Sequence, residues 1–304
     1  MRLKSGYSRG VVMFYNVENL YFPSAFGKWT PKRYHAKLEK IAEVIGRIGH
    51  DLKEWPLLVG LCEVQGEVPL RDLVAMPSLE GRYGFVHYRG NDERGMDVAL
   101  LYDKTKVDVV FSESIGVLFG EAFPNGEVSG TRDLLYGKIR YEEKLWHVFV
   151  IHLPSKRDEE INRIKRERVM AVLAQRVAAL VKDGEPVLVM GDFNENPTSP
   201  LLKKITEFQN DLGLSNPFEA LYGQYFFSTF HGKKGLLYDQ ILFSRAWSSC
   251  FGKIRSGVFK CVEMTDGGRE YRGRPFRTYA GTRYLGGYSD HFPVWVDFGF
   301  LKTK

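Results

Sequence analysis

The chain has 304 residues, 44% of them hydrophobic, and at that length can bury about three quarters of the surface that its unfolded form exposes. Its three cysteines, Cys62, Cys250 and Cys261, include no CxxC pair, which argues against a disulfide-framed domain and against structural zinc. A net charge of +6 favours an anionic partner such as nucleic acid, phospholipid head groups or small phosphates, although many basic proteins bind none of these.

Residues 1–10 are polar and lack the apolar core of a signal peptide, and no run of about 18 apolar residues follows anywhere. A soluble protein without stable membrane anchoring is expected. The cytoplasm is favoured, although a trimmed export leader would leave the same sequence. The first β-branched run, 11–17, predicts a strand, and a helix follows over 31–48 with Thr30 as cap and Pro31 at its first position. Strands are predicted at 57–64, 97–102 and 107–115. Segments 134–140 and 145–151, joined by 141–144, read as a hairpin, so part of the sheet is antiparallel. The clearest helix spans 158–182, where Ile161, Ile164, Val169, Val172, Leu173, Val177 and Leu180 recur at helical spacing and Asp158, Glu159 and Glu160 suit the positive end of the helix dipole. Further strands are predicted at 187–190, 236–243 and 293–298. No repeat, low-complexity tract or Pro/Ser-rich linker divides the sequence, so one α/β domain over 1–304 is the simpler reading. Segment 265–287 stands apart, with Arg269, Arg272, Arg274, Arg277 and Arg283 among glycines and tyrosines. It reads as a solvated loop or as a substrate-facing one.

Four strand ends carry chemistry-bearing side chains. Gly191-Asp192-Phe193-Asn194 follows an apolar strand, at the kind of edge where open α/β sheets bind ligands. It could equally be a turn in which Asp192 and Asn194 satisfy backbone groups. Ser289-Asp290-His291-Phe292-Pro293 precedes the last strand, and an imidazole there could take a proton from water near neutral pH. Asn16 and Glu18 share one face of a strand end, and Glu63 closes the run from Leu57. His152 adjoins another strand end. Carboxylates crowded together in this way need a cation to offset their repulsion.

The ordered set Asn16 with Glu18, Glu63, His152, Asp192 with Asn194, Asp239, and Asp290 with His291 resembles the endonuclease/exonuclease/phosphatase superfamily, which includes DNase I-like nucleases, abasic-site endonucleases, sphingomyelinases and inositol polyphosphate phosphatases. The resemblance runs from residue 14 to about 294. It implies a four-layer α/β sandwich, with two mixed β-sheets face to face and helices outside. It further implies Mg²⁺, with Mn²⁺ as a substitute, held mainly by Glu63, with Asp290, Glu18 and Asn16 completing or supporting the site. By the same resemblance His291 is the catalytic histidine and Asp239 the carboxylate that orients it. Asp192 and Asn194 position or deprotonate the attacking water, and His152 donates a hydrogen bond to the phosphoryl oxygens. The implied reaction is one-step in-line hydrolysis, with the proton acceptor left open between Asp192 and His291. Arg132 and Arg283 are candidate phosphate contacts, against the commoner reading of surface arginines.

Tyr15-Asn16-Val17-Glu18-Asn19-Leu20, and Arg277-Thr278-Tyr279 ahead of Gly286-Gly287-Tyr288-Ser289-Asp290-His291, are most similar to a bacterial branch described as endonucleases. Position 18 is Glu where many abasic-site relatives carry Asp, and neither their active-site tyrosine nor a wedge loop can be placed. The expected substrate is therefore nucleic acid or another phosphate diester. A phosphomonoesterase or a lipid or inositol phosphate phosphodiesterase of the same fold is the alternative, with 118–124 the only candidate membrane-facing hairpin. A non-catalytic nucleic-acid binder would have lost ligands, and every expected carboxylate and histidine is present.

Overall fold

The structure, a computed structural model, describes residues 9–23, 29–92, 94–117, 131–157, 159–207, 213–269 and 272–300. In chain order its first elements are β1 (Arg9–Leu20), α1 (Pro31–Leu52), β2 (Pro56–Val64), α2 (Glu67–Val74), β3 (Tyr83–His87), β4 (Asp97–Asp103) and β5 (Val107–Ile115). There follow β6 (Leu134–Tyr141), β7 (Lys144–His152), α3 (Glu159–Lys182), β8 (Val187–Asp192), α4 (Pro200–Thr206) and α5 (Phe218–Gly223). The last are β9 (Thr229–His231), β10 (Lys234–Leu236), β11 (Asp239–Phe243), α6 (Arg245–Ser248), β12 (Phe251–Val258), β13 (Tyr279–Ala280), β14 (Arg283–Tyr284) and β15 (Val294–Phe300).

Two mixed sheets carry the fold. The first has strand order β12-β15-β1-β2-β4-β3 and the second β11-β8-β7-β6-β5. Each contains one parallel pair, β1 with β2 and β7 with β8, and every other neighbour is antiparallel. Period-two alternation sorts the strand residues into layers. Val12, Phe14, Leu58, Leu100, Val148, Val150, Leu188, Met190, Ile241 and Val296 meet between the sheets. Met13, Tyr15, Val59 and Leu61 face the other way, against Leu38, Ile41, Ile45 and Ile48 of α1. Phe149, Ile151, Val189 and Leu242 pack under Val169, Leu173 and Val177 of α3 and Leu202 of α4. The result is helix, sheet, sheet, helix, the four-layer sandwich that the family resemblance implied.

Local chemistry explains where elements begin and end. Thr30 caps α1 by accepting the Arg33 N–H at 3.3 Å, with Pro31 at the first helical position, and the helix runs four residues beyond the expected end to a left-handed Lys53. In the β6–β7 hairpin, Tyr141 pairs with Lys144, and the two turn residues, Glu142 and Glu143, both have positive φ. The strand expected over 236–243 is instead two elements. β10 pairs with β9 in a separate two-stranded ribbon, and Leu237 and Tyr238 turn the chain into β11, the Leu237 N–H being held by the Asn196 side chain at 3.0 Å. Among the described residues no helix is long and apolar enough to cross a membrane. The stretch 118–124 lies outside the described residues.

Gly60 of β2 faces Met190 of β8 across the sheet interface. A Cβ there would lie 2.6 Å from the Met190 sulfur and 2.9 Å from the Phe14 ring. Gly60→Ala is expected to cost about 1–3 kcal/mol, read as a lower urea midpoint at unchanged m-value. An unchanged midpoint would show that the sheets have slack there.

Candidate active site

The two parallel pairs bring four carboxyl ends to one edge: β1 with Asn16 and Glu18, β2 with Glu63, β7 with His152, and β8 with Asp192. Antiparallel neighbours contribute strand beginnings to the same edge. Asp239 starts β11 directly opposite Asp192, which is itself in register with His152. Asp290 and His291 lead into β15. Asn16, His152, Asp192 and Asp239 continue the inward alternation of Phe14, Val150, Met190 and Ile241, so they emerge from the gap between the sheets and are almost fully buried. Glu63 is off that alternation. It reaches the edge because its φ is +64° at a register shift in the β2–β4 pairing, and Glu18, Asn19 and Asn194 are left-handed too. Such backbone strain concentrates at functional sites.

Asp192 is the hub. Its Oδ1 accepts the Asn194 backbone N–H at 2.9 Å, so the turn reading of GDFN is also true. Its Oδ2 accepts from the Asn16 side chain at 3.0 Å and lies 3.6 Å from His152 Nε2 and 3.9 Å from His291 Nε2. One oxygen serves the turn and the other the site. Asn16 Nδ2 also donates to Glu63 at 3.3 Å, while its Oδ1 accepts the Glu18 N–H at 3.0 Å, an arrangement that fixes the amide orientation. Glu63 accepts the Asn19 N–H at 2.9 Å through its second oxygen. His291 Nδ1 lies 2.6 Å from Asp239, and the Asn194 amide donates to the Leu153 carbonyl at 2.9 Å.

Glu18 belongs to a neighbouring group. It is buried and accepts the backbone N–H groups of Thr278 at 2.5 Å and Tyr279 at 3.3 Å, with Arg277 Nε at 3.9 Å. Arg277 donates to Asp290 at 2.6 Å, and the buried Lys37 donates to the Thr278 hydroxyl at 2.6 Å. The latter half of segment 265–287 therefore faces the site. Arg132 is buried, donates to the Leu153 carbonyl at 3.3 Å and lies 3.5 Å from Asp92. Arg283 is exposed on the β13–β14 ribbon, where it is paired with Ala280, and is not brought into this cluster. Lys37, Cys62 and the pairing of Arg277 with Asp290 went unread in the sequence. Lys37 had left a signal: it falls on the apolar stripe of α1 that Tyr34, Leu38 and Ile41 define.

The electrostatics follow from burying this much charge. Burial, with Asp239 adding repulsion and His291 offsetting part of it, pushes Asp192 up to about 7. Burial and Asp290 raise Glu18 to about 7 against the pull of Lys37, whose own pKa burial lowers to about 8. Burial opposes a charge on His291, but the charge and hydrogen bond of Asp239, with Asp192 and Asp290 behind, outweigh it, and the ring's pKa is raised well above the ordinary value. His152 is driven well below that value by burial and then by Arg132, Arg94 and His291, so it is neutral at pH 7. Donor atoms of Asp192, Asp239 and His291 lie within 4.8 Å of one another. The oxygen donors of two buried carboxylates beside an imidazole nitrogen fit a divalent cation.

Two mixed sheets packed face to face under outer helices, with this edge of carboxylates and histidines, define a DNase I-like phosphoesterase fold. The chain belongs to the Endonuclease/Exonuclease/phosphatase family, whose model matches residues 11–299. Members of that superfamily hydrolyse phosphate esters. Among solved structures the chain is similar to TDP2 from Caenorhabditis elegans, with 17% identity, a TM-score of 0.61 and coverage of 97% of this chain and 75% of that one. It is also similar to the human Nocturnin catalytic domain with bound sulfate anion, at 18% identity and a TM-score of 0.61, covering 96% and 95% of the two chains. A mannosyl-6-phosphatase from Bacteroides thetaiotaomicron VPI-5482 gives 17% identity, a TM-score of 0.60 and coverage of 96% and 100%. A search of curated proteins gave no match.

Asp239→Asn removes the largest of the charges that raise the His291 pKa and leaves burial, which lowers it, opposed only by Asp192 and Asp290. Histidine NMR titration is expected to show the His291 pKa falling to the ordinary value or below in the variant. No change would mean that Asp239 does not set the charge of the ring.

Proposed function

We propose that this protein is a Mg²⁺-dependent hydrolase of phosphodiester bonds acting on nucleic acid, with Mn²⁺ able to substitute and the whole chain working as one domain. The observation that carries the proposal is that Asp192 Oδ2 is shared by Asn16, His152 and His291 while Asp239 braces His291 from behind at 2.6 Å. Glu63 with Asp290 would hold the metal, which when bound neutralises charge on the phosphoryl and leaving oxygens. In this reading Asn16 is a holder rather than a ligand, because its oxygen is committed to the Glu18 N–H.

Asp192 is the better proton acceptor of the two candidates. Its pKa of about 7 matches the working pH of a general base, whereas Asp239 keeps His291 charged. A water beside Asp192 gives up its proton there and attacks phosphorus, and the leaving oxygen departs on the opposite side. His291, cationic, and His152, neutral, donate hydrogen bonds to the phosphoryl oxygens as charge grows on them. Asn194 stays with the Asp192 turn and orients it. Arg132 lies behind His152, and an exposed Arg283 is available to a longer substrate. The net charge of +6 and the arginines around the site suit a polyanion. The similarity to a sugar phosphatase favours hydrolysis of a small phosphomonoester as the second reading.

Bis-p-nitrophenyl phosphate, p-nitrophenyl phosphate and supercoiled plasmid, each with Mg²⁺, Mn²⁺ or EDTA, separate these readings. Plasmid nicking and diester cleavage that need metal and fall at least about 10²-fold in His291→Ala and Glu63→Ala are expected. Cleavage of the monoester alone would select the second reading, and undiminished turnover in either variant would refute the assigned roles. The rate should also follow a bell-shaped pH profile. Its acid limb rises as Asp192 loses its proton near pH 7, and its alkaline limb falls as His291 becomes neutral, moving to lower pH in Asp239→Asn.

A further inference from the structure

Cys62 sits one residue before Glu63 on β2, opposite Asn16 in the register with β1, and belongs to the apolar core between the sheets. Its sulfur, a ring nitrogen of His152 and a carboxylate oxygen of Asp192 all lie within 4.8 Å of one another. The three residues are 0%, 4% and 2% exposed. His152 Nδ1 has no hydrogen-bond partner among the described residues, in an interior where such nitrogens are ordinarily satisfied. Cys62 comes from one sheet and His152 and Asp192 from the other, so the trio spans the gap at the floor of the carboxylate edge.

We propose that Cys62, His152 and Asp192 form a three-ligand site for a borderline-soft divalent cation of the Zn²⁺ type, and that filling it shuts down hydrolysis. One sulfur, one imidazole nitrogen and one carboxylate oxygen, with a fourth position left to water, are what four-coordinate Zn²⁺ accepts. Mg²⁺, which takes oxygen ligands at near-octahedral geometry, has no use for the thiolate. Zn–S and Zn–N bonds of about 2.3 Å and 2.0–2.1 Å put tetrahedral ligand atoms roughly 3.5 Å apart, and His152 Nε2 already stands 3.6 Å from Asp192 Oδ2. His152 is neutral and so able to ligate. The Cys62 thiol is held protonated by burial and by Asp192, and binding expels that proton to solvent. Inhibition rests on the roles proposed above, because a bound cation would remove the hub carboxylate and the neutral histidine together. Binding does not rest on them.

Co²⁺ titration of the whole chain is the direct test, because a thiolate ligand gives a near-ultraviolet charge-transfer band and a four-coordinate site gives strong visible bands. One equivalent with both features is expected in the wild type and in a Cys250→Ser/Cys261→Ser variant, with the thiolate band lost in Cys62→Ala. Zn²⁺ affinity, measured against a chromophoric chelator, should fall at least about 10-fold in Cys62→Ala. That variant should keep Mg²⁺-supported diester hydrolysis but resist Zn²⁺ over a similarly wider concentration range. Cys62→Ser, which preserves the shape of the core, guards against a folding defect and should also lose the thiolate band. Absence of the band in the wild type, its survival in Cys62→Ala, or equal Zn²⁺ affinity or inhibition in both proteins would overturn the proposal. If no substrate is hydrolysed at all, the functional reading fails, while the cobalt spectrum still decides whether the metal site exists.

Discussion

Side-chain alternation along a β-strand leaves an inward face no choice but to stay apolar while it is covered by a second sheet, and frees it only at the sheet's edge. Asn16, His152, Asp192 and Asp239 are the positions where the inward series of Phe14, Val150, Met190 and Ile241 reaches that edge. Because each sheet contains a single parallel pair, two carboxyl ends lie side by side in each, and the antiparallel neighbours add strand beginnings on the same side. Separation in sequence, 176 residues between Asn16 and Asp192, thus becomes a 3.0 Å hydrogen bond without any loop having to carry the geometry. Side chains on strands are held more exactly than side chains on loops.

Concentrating acidic groups there has an electrostatic cost, and the protein meets it unevenly. Glu18 is compensated internally by backbone N–H groups and by Lys37, and Asp290 by Arg277. The Asn16 amide, which touches Glu63 and Asp192 together, supplies hydrogen bonds but no net charge. The group nearest the loop is largely self-contained. Asp192 in the gap and Glu18 near the loop are both pushed up to about 7, in each case first by burial. The contacts separate two acidic groups that a linear reading merges into one ligand set.

Much of this was legible in the residues. GDFN after an apolar strand, SDH before the last one and Glu63 at the end of another are edge positions because strands of that kind stop where their hydrophobic run stops, and the Thr30-Pro31 signal opened α1 correctly. The pairing of those strands was not legible, since sheet order depends on which inward faces fit across the gap, and the four-layer form came from family resemblance. β12 was missed because a half-exposed edge strand carries Lys253 and Arg255 in place of an apolar pattern. The run 236–243 looked continuous because apolar residues occupy both β10 and β11, and nothing local reports that the chain changes sheet at Leu237. Lys37 escaped because a lysine is read as solvent-facing by default, whereas its position on an apolar stripe was the informative fact.

β1 lies in the middle of its sheet, bonded on one side to β2 and on the other to β15, with Arg9 opposite Gly299. A nascent chain emerging from the ribosome can therefore pair β1 with β2 early but must carry the other edge of β1 open until the segment from Val294 has appeared. His291 arrives in the same stretch. Any product cut short before that segment has both an unpaired, apolar strand edge and no histidine beside Asp192, so the cover of β1 and the last group of this cluster arrive together.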